Sequence, residues 1–249
     1  MGGVTGARTL WRLTRQAAIL LIAAAIAWVA IIAWSPLGGS MAGTMAFALP
    51  TFLVAWTVMM AAMMLPSVAP VASLYARSIS GHRALRLTLF TGGYLVVWAS
   101  AGVLAFALGT VIAGFANANA AYGTAAGVGA YLACGLYQLS PLKYRCLQHC
   151  RSPLSLFFRY SYRGALRDFR VGLHHGGYCL GCCWSLMVVL LALGAMSLGP
   201  MVILAAIVLV EKLWSRGENF SRLVGVASLA LAVATIWIPD LAPGFRPSM

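Results

Sequence analysis

The chain has 249 residues, 62% of them hydrophobic and 8% charged, against roughly 45–50% apolar and about 25% charged in ordinary globular domains. A soluble core stops growing long before it could hide this much apolar side chain, so the solvent left for it is lipid. The formal charge of +13 calls for no nucleic acid: basic loops between membrane spans, attracted to anionic lipid, account for it.

Seven apolar stretches come near the roughly 20 residues that a bilayer crossing needs. The first, Ala17–Trp34, follows Arg8, Arg12 and Arg15. It begins like a signal peptide, but no small-residue cleavage site follows Trp34, so it reads as a retained first helix. The second, Leu49–Leu74, carries Trp56 and then Met59, Met60, Met63 and Met64. On a helix these form two i, i+4 thioether pairs, on a segment that Pro66 and Pro70 should bend. Thioethers bind Cu(I) and few hard ions, yet methionine is also an adaptable packing residue. Packing is therefore the first reading of Met60, Met63 and Met64, and ligation the second.

The third and fourth stretches are Leu87–Phe115 and Ala120–Leu139, with Gly127 and Gly129 read as close helix packing and Cys134 near the fourth stretch's end. A basic connection over about 141–175 follows. It holds Cys146, His149 and Cys150, of which Cys146 and His149 have a spacing familiar from metal sites. The fifth stretch, Tyr178–Ala195, opens on the sharpest constellation: His174-His175-Gly176-Gly177-Tyr178-Cys179-Leu180-Gly181-Cys182-Cys183. With a helix starting at Tyr178, Cys179, Cys182 and Cys183 stand at i, i+3 and i+4 on one face and can hold one soft ion. The paired glycines would bend the chain so that His174 or His175 folds back as a nitrogen ligand. Thiolates favour Cu(I), zinc or iron–sulfur clusters, and mixed Cys and His ligands keep zinc open. The plainer alternative is cysteine as a small apolar packing residue.

The sixth stretch, Leu198–Val210, is short. It could close a tight hairpin with the fifth around Gly194, Gly199 and Pro200, giving six spans instead of seven. Glu211, beside Lys212, reads first as half of an interfacial ion pair and then as a metal ligand or proton acceptor. The seventh stretch is Phe220–Ile238; Asp168, Glu218 and Asp240 read as solvated loop charges. Basic residues fall in alternate connections: Arg8 to Arg15, Arg77 to Arg86, Lys143 to Arg170, and Lys212 to Arg222. The connections between them are uncharged. By the positive-inside rule the N-terminus is cytoplasmic and, with seven spans, the C-terminus outside. All six cysteines then lie on or near the reducing side, which disfavours structural disulfides and leaves free thiols for metal or redox chemistry.

The expected fold is thus all-α: a polytopic transmembrane helical bundle of about seven spans, forming a single integral membrane domain over residues 1–249. Walker-type loop, Gly-x-Ser-x-Gly elbow, dinucleotide fingerprint and His-Glu-x-x-His are all absent. That excludes an ATP-driven pump acting alone and disfavours an enzyme.

Several segments carry a resemblance: Trp56 with Met63-Met64-Leu65-Pro66, Tyr137-Gln138-Leu139-Ser140-Pro141-Leu142-Lys143 leading to Cys146 and Cys150, Gly177 through Met187, and Glu211-Lys212. From about Leu49 to Lys212 the order and spacing resemble a bacterial family catalogued as domain of unknown function 2182, described as predicted metal-binding integral membrane proteins. The resemblance implies metal binding and names no metal.

Three functions follow. The leading one is handling or transport of a soft metal, copper favoured and zinc second, in the bacterial inner membrane. The partners expected are lipid, the metal ion, and a membrane protein or a second copy of the chain. The others are a thiol-redox or cofactor-assembly protein cycling Cys179 and Cys182, and a non-catalytic subunit of a larger membrane complex.

Overall fold

The computed structural model describes residues 15–34, 48–78, 81–151, 164, 166–195 and 197–245. Arg8, Arg12, most of the expected first loop and residues 152–163 of the basic connection lie outside the described residues. Among the described residues the chain is all α, with no strand. The helices are α1 (Arg15–Trp34), α2 (Leu49–Ser78), α3 (Arg83–Ala118), α4 (Ala120–Leu139), α5 (Pro141–Arg151), α6 (Arg167–Leu193), α7 (Leu198–Leu213) and α8 (Gly217–Trp237). Two 3-10 turns, Pro239–Leu241 and Pro243–Phe245, follow α8.

Five helices, α1, α2, α3, α6 and α8, are long and apolar enough to cross a membrane. The other two expected spans are helices but fall short of that measure. α7 has 16 residues, which rise about 24 Å. α4 reaches 20 residues, but Gly123, Thr124, Gly127, Gly129, Gly135 and Gln138 dilute its apolarity. Lipid suits the outer faces, where Trp237 is 82% and Leu104 71% exposed, while Phe52, Trp56, Tyr75, Phe90, Tyr94 and Trp98 of α2 and α3 turn inward.

Between helices in lipid there is no water to expel, so close packing of small residues carries association. α3 lies along α6 in this way. A Cβ on Gly172 would run into the Phe90 carbonyl, and one on Gly93 into the Phe169 carbonyl; Gly176 faces Val97 and the Tyr94 carbonyl. This corrects the expected bend at Gly176-Gly177. α6 is helical from Arg167 through both glycines, and Gly176 serves the contact with α3 instead. α4 lies along α8, with Gly135 and Gly225 each against the other's backbone. Gly127 closes on Ala242 as expected, whereas nothing stands within 4 Å of a Cβ on Gly129, so that residue carries no close approach.

The basic connection also folds further than expected. Ser140 precedes Pro141, its hydroxyl accepting from the Lys143 backbone N–H at 3.2 Å, and starts α5 with proline at its first position. Asp168, read as a solvated loop charge, is buried in the first turn of α6. It accepts from the Tyr75 hydroxyl and from both the Nε and Nη2 of Arg86, the latter at 2.9 Å. Together with the bond from Arg151 to the Trp214 carbonyl, these contacts gather the α2–α3 turn, α5, the start of α6 and the α7–α8 turn at one end of the bundle. At the other end lie the α3–α4 turn, where the Asn119 side chain caps α4, and the α6–α7 turn. The C-terminal 3-10 turns are there too, tied by the Tyr131 hydroxyl to the Leu241 carbonyl.

Candidate metal site

Four cysteines are buried on α5 and α6, which pack against each other. Cys179, Cys182 and Cys183 occupy one helical face of α6, all within 1% of full burial. Cys150 comes from α5 and is likewise buried. The Cys182 and Cys183 thiols donate to the Cys179 backbone carbonyl at 3.1 Å and 2.8 Å. The Cys179 sulfur has two further partners, the Lys212 ammonium of α7 at 2.8 Å and the Tyr94 hydroxyl of α3 at 3.0 Å. Lys212 is itself buried, and its remaining contact is the Ser67 hydroxyl of α2 at 3.2 Å.

Charge pairing explains this arrangement. A buried ammonium needs an anion. Of the two buried carboxylates, Asp168 is taken by Arg86 and Glu211 by Lys143, so Cys179 is the group left to balance Lys212 as a thiolate. Outside the membrane-spanning helices, the bonds that Cys150 makes to Cys179 and Cys182, with burial added, push its thiol well above the usual range. Cys150 is therefore held as a neutral thiol against its neighbours.

Among the described residues, no three His, Cys, Asp or Glu side chains are arranged to hold a metal ion. The hydrogen bonds state why. Two of the three α6 thiols are turned to a carbonyl, and the third sulfur is held by an ammonium and a phenol. The donor set is nevertheless soft.

The other expected ligands divide. His175 lies one turn before Cys179 on the same face, fully buried, its ring 6.1 Å from Phe90 and 6.0 Å from Tyr94, with no hydrogen-bond partner on Nδ1. His174 faces outward on α6. Cys146 sits one turn before Cys150, against Gly181 and the Tyr137 hydroxyl, apart from the sulfur cluster. His149 stacks on Tyr178 at 4.9 Å and its Nδ1 meets the Arg145 carbonyl. Met60, Met63 and Met64 are fully buried on α2, on the face that also presents Ser67 to Lys212. Glu211 is indeed half of an ion pair. Its partner is Lys143 at 2.7 Å rather than the adjacent Lys212, with Gln138 donating to its other oxygen at 2.8 Å. The pair is also buried rather than interfacial, each side chain only 2% exposed.

Sequence reasoning missed Lys212, Lys143, Tyr94 and Ser67. Both lysines read as loop charges, and the available signal was Glu211-Lys212 closing an apolar helix with no turn residue between.

No curated protein and no solved structure matches this chain. The resemblance read from the motifs pointed to a metal-related bacterial family, which is what the family comparison finds, under a different description from the one expected. The match spans residues 53–235, which include Cys150, Cys179, Cys182, Cys183, Lys212, Lys143 and Glu211, and it places the chain in the PpoB2 family, described as copper chaperone.

Proposed function

We propose that this protein is a single integral membrane domain that binds Cu(I), as cargo, at the sulfur cluster on the cytoplasmic side of a bacterial inner membrane. One observation carries the reading. Four cysteines are buried on two helices that pack together, one of them accepting from a buried lysine at 2.8 Å, within a chain of a copper-chaperone family. Thiolate and thioether donors select Cu(I) over hard ions, and burial shields the ion from water and oxidation. Cys179, Cys182 and Cys150 are the ligands we assign, with Cys183 in reserve. Met63 and Met64 form the soft surface along which an ion reaches or leaves them, and Met60 extends it by one turn. His175 supplies the neutral nitrogen if the ion is zinc. We assign Glu211, Cys146, His149 and His174 to the surroundings of the site, because their contacts lead elsewhere.

The orientation is part of the same proposal. The bundle end that carries Arg83, Arg86, Arg151 and Arg216 faces the cytoplasm, and seven helices, α4 and α7 included, cross the bilayer. The C-terminal residues then lie outside.

Elemental analysis of the purified protein tests the reading. Wild type and Cys179→Ser/Cys182→Ser/Cys150→Ser are exposed to copper or zinc under reducing conditions and then desalted. Near-stoichiometric copper in the wild type, lost in the triple variant, is the expected result. Retention that is equal in the two proteins, or absent from both, sinks the assignment.

A further inference from the structure

A cavity of about 210 Å³ opens between α2, α3 and α6. Its lining side chains are all aliphatic, aromatic or thioether, and three of them are the indole rings of Trp56, Trp98 and Trp184. Leu104 and Leu108, which line it on α3, are 71% and 41% exposed, so its mouth lies on the surface that lipid covers. Trp56 is fixed in place. Its N–H donates to the Trp98 backbone carbonyl at 3.0 Å, and its ring lies on Gly102, where a Cβ would stand 2.6 Å from Trp56 Cδ1.

Trp98 is left incomplete by comparison. The residue is 0% exposed, and its indole Nε1 has no hydrogen-bond partner among the described residues. A buried N–H without an acceptor is costly, the more so where no water enters. An indole nitrogen is a donor only, so the missing partner is an acceptor, and the cavity that Trp98 lines is the space for one.

Depth restricts where that acceptor comes from. Arg83 to Trp98 rises about 22 Å along α3, and Trp98 to Ala118 about 30 Å. The indole therefore stands near the middle of a helix long enough to cross the roughly 30 Å hydrocarbon core. Phospholipid ester carbonyls lie at the edges of that core, and acyl chains carry no acceptor. The occupant is then an apolar molecule that brings its own carbonyl into the hydrocarbon. Size restricts it further. A cavity of about 150 Å³ holds benzene, so this one suits a single substituted six-membered ring, stacked among indoles, with a tail leaving through the mouth into lipid.

We propose that this cavity binds the ring of a membrane quinone, a benzoquinone with an apolar tail, one of whose carbonyl oxygens accepts from Trp98 Nε1. The site requires neither the sulfur cluster nor a metal, so it stands or falls apart from the copper reading.

The experiment titrates metal-free full-length protein in detergent with decylubiquinone and follows the quenching of tryptophan fluorescence. Saturable quenching at about one quinone per chain is expected in the wild type. Trp98→Phe keeps an aromatic ring and loses the N–H. It is expected to raise the half-saturating concentration about tenfold, the worth of one buried hydrogen bond; half-saturation is the reading, because removing an indole also changes the amplitude. Ala101→Phe fills the cavity from its α3 wall and is expected to abolish the saturable part. Decylbenzene, with a ring and a tail but no carbonyl, is expected to compete at least about tenfold more weakly than the quinone. Quenching in the wild type no more saturable than in Ala101→Phe would overturn the proposal. So would Trp98→Phe titrating like wild type, or decylbenzene competing as well as the quinone, either of which makes the cavity a groove for acyl chains. Should Ala101→Phe fail to fold, these last two arms decide.

Discussion

Lys143 and Glu211 set the energetic terms of the site at the scale of single residues. Each side chain is 2% exposed, the pair closes at 2.7 Å, and Lys143 also donates to the Cys182 carbonyl at 2.5 Å. The pair therefore braces the backbone that carries the cysteines. Removing one charge leaves the other buried and uncompensated, at a cost of about 3–5 kcal/mol, whereas replacing both with apolar groups of similar volume is often neutral. Lys143→Met and Glu211→Leu are each expected to lower unfolding free energy in mixed micelles by about that much, and the double variant by less than either alone. Singles within about 0.5 kcal/mol of wild type would show that the pair is not a brace. At this scale the sequence is legible in part. Three cysteines in five positions announce themselves, and so does Cys150, but a lysine that turns inward looks the same as one that turns to water. What decides is whether an anion waits inside, and for Lys212 that anion is contributed by another helix.

Helices are the level at which apolar periodicity is most informative, and five expected spans coincide with long apolar helices. The misplaced bend in α6 has its origin in glycine. Gly176 and Gly177 look like a break in a sequence, yet between helices in lipid Gly176, with Gly172 and Gly93, permits close contact. α6 therefore starts at Arg167, and the histidines lie on the helix instead of folding back over it. α5 was hidden for a different reason: its polar, basic composition gives no apolar signal, and its start depends on Ser140 and Pro141. The short α7 remains the element on which topology turns. With α7 spanning, Ser197 and Arg216, which flank it, lie on opposite sides of the membrane. Ser197→Cys is expected to react with a membrane-impermeant maleimide in intact cells, and Arg216→Cys only after permeabilisation. Labelling of both from one side would reduce the spans to six.

For the molecule as a whole, charge and sulfur share one end. The turns with arginine gather beside α5 and the start of α6, while the opposite turns carry Asn119, Gly194 and Ser197 and, among the described residues, no basic residue. Buried thiols lie just inside the basic end, with the methionines of α2 on the same face as the serine that meets Lys212. Such an arrangement suits a soft ion held away from water near the basic end of the bundle. X-ray absorption at the copper edge of the Cu(I)-loaded protein tests this most directly. The account predicts a first shell of two or three sulfurs and no light atom, with loss of the sulfur shell in Cys179→Ser/Cys182→Ser/Cys150→Ser. A shell dominated by nitrogen or oxygen, or a sulfur shell that survives in that variant, would contradict it.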